Sequence, residues 1–156
     1  MKIAYDITTA AVTGMMVGNE LAVAAFIHPQ LQRLASRAHA QAAAPIAVVL
    51  GRVMPLWYGL APALILGAAY EHSPISNGPG LLIVSATALW AATIIFTITA
   101  LVPINNRIAK MNTEYPYDGW LQDRVRWDRL HQIRVALLTT ALLLLLTGLF
   151  GGSASV

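Results

Sequence analysis

The sequence predicts an all-α polytopic membrane protein, a four-transmembrane-helix up-down bundle, from three observations. Of its 156 residues, 57% are hydrophobic and only 11% are charged, whereas a soluble domain carries roughly 25% charged residues. Four apolar stretches each reach the ~20 residues that cross ~30 Å of hydrocarbon. Backbone groups in lipid must find internal hydrogen-bond partners, so these stretches are predicted to be helices. The length favours a single domain over residues 1–156.

The four predicted spans cover about residues 3–28, 45–71, 81–102 and 127–150. We expect the first span to end at His28-Pro29 and the third to stop at Pro103, because proline interrupts helix hydrogen bonding. Residues 33–43 are expected to form a short surface helix, and residues 112–119 a turn-like cap. The resulting topology is an up-down four-helix bundle.

Positively charged residues are unevenly distributed among the loops that connect the predicted spans. Lysine and arginine are concentrated in the first and third loops, which places those loops in the cytoplasm and both termini outside. A secretory signal peptide is the alternative for the first span, but Asp6 and Glu20 are atypical of a signal core. The net charge of +3 lies in these loops rather than in a basic patch, which excludes a nucleic-acid partner. The absence of cysteine excludes thiolate catalysis and iron–sulfur clusters.

Ionisable residues inside the predicted spans are costly and need a partner or a function. Glu20 and Arg52 lie at nearly the same depth from the first loop, so an ion pair between the first two spans is expected. That pair is either structural or part of a cavity that Glu20 faces. His28 is either an interfacial residue or a second group lining that cavity, while His39 and His72 are expected in loops without a role.

The second span contains two prolines, Pro55 and Pro62, which lie on one face and are expected to kink the helix. Trp57 and Tyr58 lie between them. These aromatic residues either pack in the core or contact lipid, or they line a substrate site.

The strongest signal begins at Trp120. On a helix, Trp127, His131 and Arg134 share one face, and Trp120 lies on the same line one heptad earlier. We expect this polar face to point into the bundle; the alternative is an interfacial belt that anchors the helix to lipid headgroups. Asn105 reaches the same end of the bundle, so all four spans deliver polar groups to one interior, where helix bundles build their sites.

Two motifs in this order, Pro103-Ile104-Asn105-Asn106-Arg107 and Trp127-x-x-x-His131-x-x-Arg134, resemble those of the anthrone oxygenase-like family of small four-span membrane proteins. The resemblance extends over most of the chain, including Gly18-Asn19-Glu20 and His28-Pro29. It implies that characterised relatives oxidise polyketide anthrones to anthraquinones with molecular oxygen, while most bacterial members have no assigned substrate. The positions that it carries over are Asn105, Trp127, His131 and Arg134, with Glu20 and His28 matching less certain parts of the pattern.

These residue types suit such chemistry. A phenol-like carbon acid that loses a proton can pass an electron to O₂ without a cofactor, and it needs a base, donors for the enolate oxygen and a dry aromatic-lined pocket. We assign His131 as the base, Asn105 and Arg134 as oxyanion donors and Trp127 as the packing surface. An apolar substrate that partitions into the lipid bilayer is assigned four binding residues: Glu20, Arg52, Trp57 and Tyr58.

Several alternatives stay open. Glu20, His28 and His131 carry donor atoms that copper or non-haem iron accepts, and the two histidines are also candidates for binding haem. A small proton-coupled transporter that uses Glu20 is the leading alternative from another class, and a purely structural subunit is a third. A run of small residues in the first span is typical of helix–helix contact or a homo-oligomer: Gly14, Gly18 and Ala22.

Overall fold

The computed structural model describes residues 1–73 and 78–151, which form an all-α bundle of four long helices. The helices are α1 (Lys2–Leu31), α2 (Ser36–Glu71), α3 (Gly78–Ala109) and α4 (Trp120–Phe150), each long and apolar enough to cross a membrane. The predicted fold class is therefore confirmed. We call the end that carries residues 32–35 and 110–119 the loop-three end, and the opposite end the loop-two end.

Two helices continue past prolines that were expected to stop them. A five-residue π-helical turn, Val23–Ile27 in α1 and Thr97–Leu101 in α3, precedes each proline. Each turn closes with an i→i−5 bond, from His28 N–H to Val23 O and from Val102 N–H to Thr97 O. Because the wider turn restarts the α-helix one residue before the proline, Pro29 and Pro103 occupy first-turn positions that need no N–H. The expected ends of both spans were therefore wrong.

Helix α2 is continuous from Ser36 to Glu71 and passes through all three of its prolines, so the separate surface helix expected over residues 33–43 does not exist. The alanine-rich start of α2 favours a helix intrinsically. It also packs closely, since Ala43 and Ala47 are buried against Leu101 and Ile108 of α3. His39 lies in this helix rather than in a loop, buried with its ring 5.2 Å from that of Trp120.

The apolar core fills the loop-two half of the bundle. Its centre is built by buried side chains of all four helices, including Met16, Ile65, Trp90 and Leu138. Helices α3 and α4 approach closely at Gly148, where an added Cβ would lie 2.6 Å from Ile83 Cγ1.

At the loop-two end, buried Asp6 of α1 accepts His72 Nε2 at 3.1 Å, so His72 has a structural contact that sequence analysis did not foresee. Tyr5 ties α1 to α2 by donating its hydroxyl to Leu64 O at 3.0 Å. Together these contacts hold the ends of α1 and α2 together.

The loop-three end is closed by the segment between α3 and α4, in agreement with the expected turn-like cap. Asn112 Oδ1 accepts two backbone N–H groups in an Asx turn. Arg107 holds Asp123 through two bonds of 2.7 and 2.8 Å, and Tyr117 donates to the same carboxylate. Burial and this hydrogen bond raise the pKa of Tyr117 to about 12. Gly119 starts α4 at φ +87°, a conformation that favours glycine.

Candidate active site

A cavity of about 270 Å³ lies between the four helices, on the loop-three side of the apolar core. This volume is near the lower end of the roughly 300–1,000 Å³ of small-molecule pockets. Apolar side chains form most of its wall, and polar groups converge at its α4 side. The lining residues that carry polar side chains are Asn19, Glu20, Tyr58, Thr97, Asn105, Asn106, Trp127, His131 and Arg134.

Glu20 is the centre of the polar cluster and is only 2% exposed. Its Oε2 accepts Arg134 Nη2 at 2.6 Å, and its Oε1 accepts the Tyr58 hydroxyl at 3.0 Å. The expected partner was Arg52, but Arg52 is exposed and makes no ion pair within the described chain. Arg52 and Glu20 do lie at similar distances from the first loop, but Arg52 is on the face of α2 that points away from the bundle. The Glu20–Arg52 pair is therefore wrong, and Arg134 of α4 neutralises Glu20 instead.

His131 is fully buried between α1 and α4, and its contacts define its tautomer. Its Nδ1 lies 2.8 Å from Arg134 Nη2, and its Nε2 lies 3.2 Å from the backbone oxygen of Glu20. A guanidinium only donates and a carbonyl only accepts, so Nδ1 holds a lone pair and Nε2 the proton. The same Nδ1 lies 3.4 Å from Glu20 Oε2. A proton on Nδ1 would therefore face a carboxylate.

Trp127 stacks on His131, with ring centroids 4.8 Å apart and an interplanar angle of 17°. Guanidinium groups lie 4.8 Å (Arg124) and 5.8 Å (Arg134) from the Trp127 ring. Trp127 Nε1 and Arg134 Nε are buried without hydrogen-bond partners within the described chain. The polar end of the cavity therefore contains donors that the protein itself does not use.

A second charged group lies beside this cluster, outside the cavity lining. Asp128 pairs with Arg124 at 2.8 Å, lies 3.3 Å from His28 Nδ1 and accepts Gln32 Nε2 at 2.7 Å. His28 in turn contacts the rings of Trp127 and His131 edge-on. The sequence pattern described above did not single out Asp128 or Arg124. The i, i+4 spacing of these two residues, beside the Trp127 face, was the signal that could have found them.

Asn105 lines the cavity from α3. Its Nδ2 donates to Ala47 O at 3.2 Å and would lie 3.3 Å from a Cβ added at Gly51, so α2 and α3 meet closely here. One amide hydrogen and the Oδ1 of Asn105 have no hydrogen-bond partner in residues 1–73 and 78–151.

The structure brings most of the predicted site residues together. The four residues of the α4 stripe, Trp120, Trp127, His131 and Arg134, are all buried, so the polar face points inward as expected. Two residues assigned to substrate binding, Glu20 and Tyr58, line the cavity. The other two do not: Arg52 is exposed, and Trp57 is half-buried against the apolar core.

Glu20, His28 and His131, the predicted ligands of a metal ion or haem, are not arranged to bind either one. In the described chain, no three His, Cys, Asp or Glu side chains are arranged to hold a metal ion. Arg134 Nη2 bonds to both Glu20 Oε2 and His131 Nδ1, so a protein cation occupies the position that a metal would share between them. The rings of His28 and His131 are in edge contact at 5.0 Å, which leaves no room for a porphyrin between them.

Comparison with known protein families identifies a match over most of the chain. The anthrone oxygenase family matches residues 43–144, which cover most of α2, all of α3 and most of α4. Asn105, Trp127, His131 and Arg134 lie within that range, whereas Glu20 and His28 precede it. No curated protein and no solved structure matches significantly. The matched range is well over half of the chain, so this protein belongs to the anthrone oxygenase family, which supports an oxygenase-like function in general.

Proposed function

We propose that the protein is an integral membrane oxygenase that oxidises an apolar, anthrone- or phenol-like aromatic substrate with O₂. One observation carries the proposal: a largely apolar cavity ends at a buried cluster of one carboxylate, one guanidinium and one imidazole. Apolar walls suit a polycyclic aromatic ring system. The charged end suits a substrate whose acidic C–H becomes an enolate.

His131 is the proposed base, acting through Nδ1. In the resting site this lone pair accepts a hydrogen bond from Arg134, so Arg134 must turn away before a proton can arrive. Negative charge on the substrate oxygen attracts Arg134, and the new imidazolium is stabilised by Glu20 Oε2 at 3.4 Å. The shift of Arg134 toward the enolate oxygen and the transfer of the proton to His131 favour each other, because each brings opposite charges together.

Arg134 and Asn105 are the proposed donors to the enolate oxygen. Arg134 Nε is buried without a protein partner, and an unpaired buried donor costs about 1–3 kcal/mol. One amide hydrogen of half-buried Asn105 is also left without a partner in the described chain. A substrate oxygen would remove part of that cost. Trp127 holds His131 in place by stacking and provides an aromatic wall for the substrate.

The proposed reaction needs no external reductant. The enolate passes one electron to O₂, and the substrate radical and superoxide then combine to form a C–O bond. The peroxide takes back a proton, and loss of water with the second C–H proton leaves the carbonyl. In total, one CH₂ group and one O₂ become one C=O group and one H₂O.

Oxygen uptake by the purified protein in lipid nanodiscs, with anthrone as the probe substrate, tests this proposal. His131→Gln should reduce uptake to the uncatalysed rate, because the neutral amide keeps hydrogen bonds but is not a base. His72→Gln, at the loop-two end, is the matched control and should retain uptake. Wild-type turnover in His131→Gln would remove His131 as the base. Uptake by the wild type that does not exceed the uncatalysed rate would overturn the proposal.

We also propose that the loop-three end faces the cytoplasm, from its excess of lysine and arginine. The chain has no cysteine, so single cysteines introduced at Gln122 and Ser73 report the two sides. Impermeant maleimide on intact cells should label Ser73→Cys and leave Gln122→Cys unlabelled. The reverse pattern would invert the topology.

A further inference from the structure

Five of the six exposed residues that line the cavity lie on α2 and α3, so its main opening is between these two helices. Its lining residues on α4 are buried, and the sixth exposed lining residue, Asn19, lies on α1. The five exposed residues on α2 and α3 define the rim: Gly51, Pro55, Ile98, Val102 and Asn106. The opening therefore faces away from the charged cluster.

Most of the rim lies at the depth of the hydrocarbon, not at the water boundary. Gly51 and Pro55 are near the middle of the 36-residue helix α2. Ile98 lies 11 residues before the end of α3 at Ala109, or about 16 Å from that end at ~1.5 Å per residue. Since the hydrocarbon layer is ~30 Å thick, an opening at this position meets acyl chains.

The backbone of both rim helices is irregular at the opening. Pro55 has no N–H to donate to the carbonyl of Gly51, and Gly51 has no side chain to close the gap. On the other side, Ile98 belongs to the π-helical turn Thr97–Leu101. Prolines and π-helical turns are the places where helices bend, so both sides of the opening carry a point at which the helix can bend.

We propose that this opening is a lateral portal through which an uncharged, planar aromatic ligand passes from the bilayer core into the cavity. The ligand then reaches the Glu20–His131–Arg134 cluster with its polar oxygen leading and its apolar rings along α2 and α3. The portal rests on the proposed function in one respect, that the cavity is the ligand site. Its test uses binding without turnover, so the two proposals can fail separately.

The experiment measures anthrone binding under anaerobic conditions to protein in lipid vesicles, followed by quenching of tryptophan fluorescence. Gly51→Leu places a side chain in the rim, and Gly59→Leu is its matched control, because Gly59 is on the same helix and exposed but does not line the cavity. A blocked path slows association and dissociation together. We expect both rates to fall about tenfold in Gly51→Leu with little change in Kd, and neither to change in Gly59→Leu.

A second pair guards against a folding defect, since a side chain at Gly51 approaches Asn105. Ile98→Phe narrows the other side of the rim, and Leu143→Phe is an exposed aliphatic control on α4. Only Ile98→Phe should slow both rates.

Wild-type rates in both rim variants would overturn the portal, and continued anthrone oxidation would show that the proposed function survives. Failure of the wild type to bind anthrone would overturn the portal as stated. The alternative occupant is an acyl chain: if lipids with brominated chains quench the wild type and anthrone does not relieve the quenching, the cavity holds lipid and the proposal is wrong.

Discussion

Two buried carboxylates, Glu20 and Asp128, lie side by side in this bundle and differ in what surrounds them. Glu20 is 2% exposed and Asp128 is 4% exposed, each pairs with an arginine of α4, and each lies close to a histidine. Glu20 borders the cavity, whereas Asp128 is outside its lining, accepts a hydrogen bond from Gln32 and forms an ion pair with Arg124. Both carboxylates are thus buried and paired with an arginine, but only Glu20 lines the cavity.

The arginines also reach their partners differently. Arg124 and Asp128 are one turn apart on the same helix, so α4 alone brings them together. Arg134 and Glu20 are on different helices, and only the packing of α1 against α4 creates their contact. We therefore interpret the Asp128 group as a structural element of the loop-three end and the Glu20 group as the chemical one.

Replacing Arg134 or Arg124 should produce the largest effect, a loss of folding stability. Arg134→Leu and Arg124→Leu each leave a buried carboxylate unpaired, so we expect each to lose about 3–5 kcal/mol of stability. Thermal unfolding in detergent, compared with wild type, measures this loss.

Double variants that remove both partners of an ion pair distinguish an effect on folding stability from an effect on oxygen uptake. Glu20→Leu/Arg134→Leu should recover most of the lost stability, because it removes both charges, and should still show no oxygen uptake. Asp128→Leu/Arg124→Leu should recover stability and keep measurable uptake. Uptake by the first double variant would contradict our assignment of the two groups.

Neutralising one carboxylate at constant size should have the second-largest effect. Glu20→Gln removes the charge that stabilises protonated His131, so we expect oxygen uptake to fall about 10²-fold. Asp128→Asn is the matched control: it also breaks a buried ion pair and should lose stability, but its oxygen uptake per folded protein should remain close to wild type, since Asp128 does not border the cavity. An equal loss of oxygen uptake in the two variants would show that Glu20 and Asp128 do not differ in their contribution to the reaction.

The smallest effect should come from a single hydroxyl. Tyr58→Phe removes the bond to Glu20 Oε1, and a loss of about 1.5 kcal/mol in the site corresponds to a roughly tenfold fall in kcat. Tyr5→Phe removes a comparable bond to Leu64 O at the loop-two end and should change the melting temperature without changing kcat. A similar fall in kcat in both variants would indicate a global rather than a local effect.

Much of this arrangement follows from local pattern, as α4 demonstrates. The spacing of Trp127, His131 and Arg134 predicts a common face, and all three are buried along the cavity. Asn105 was predicted to reach the same end and lies on the cavity wall. Helical periodicity alone determines which residues of one helix share a face, so no tertiary information was needed.

Hydropathy and helical period are properties of single segments, so they were sufficient to predict the membrane class, the four helices and the polar face of α4. The pairing of Glu20 with Arg134 rather than Arg52 depends on how the helices pack, since matched depth does not specify rotation about a helix axis. The continuation of α1 and α3 past their prolines was likewise visible only in the folded chain, because the π-helical turns that allow it carry no residue signature of their own. Contacts between helices depend on packing, and packing is not encoded in any one segment.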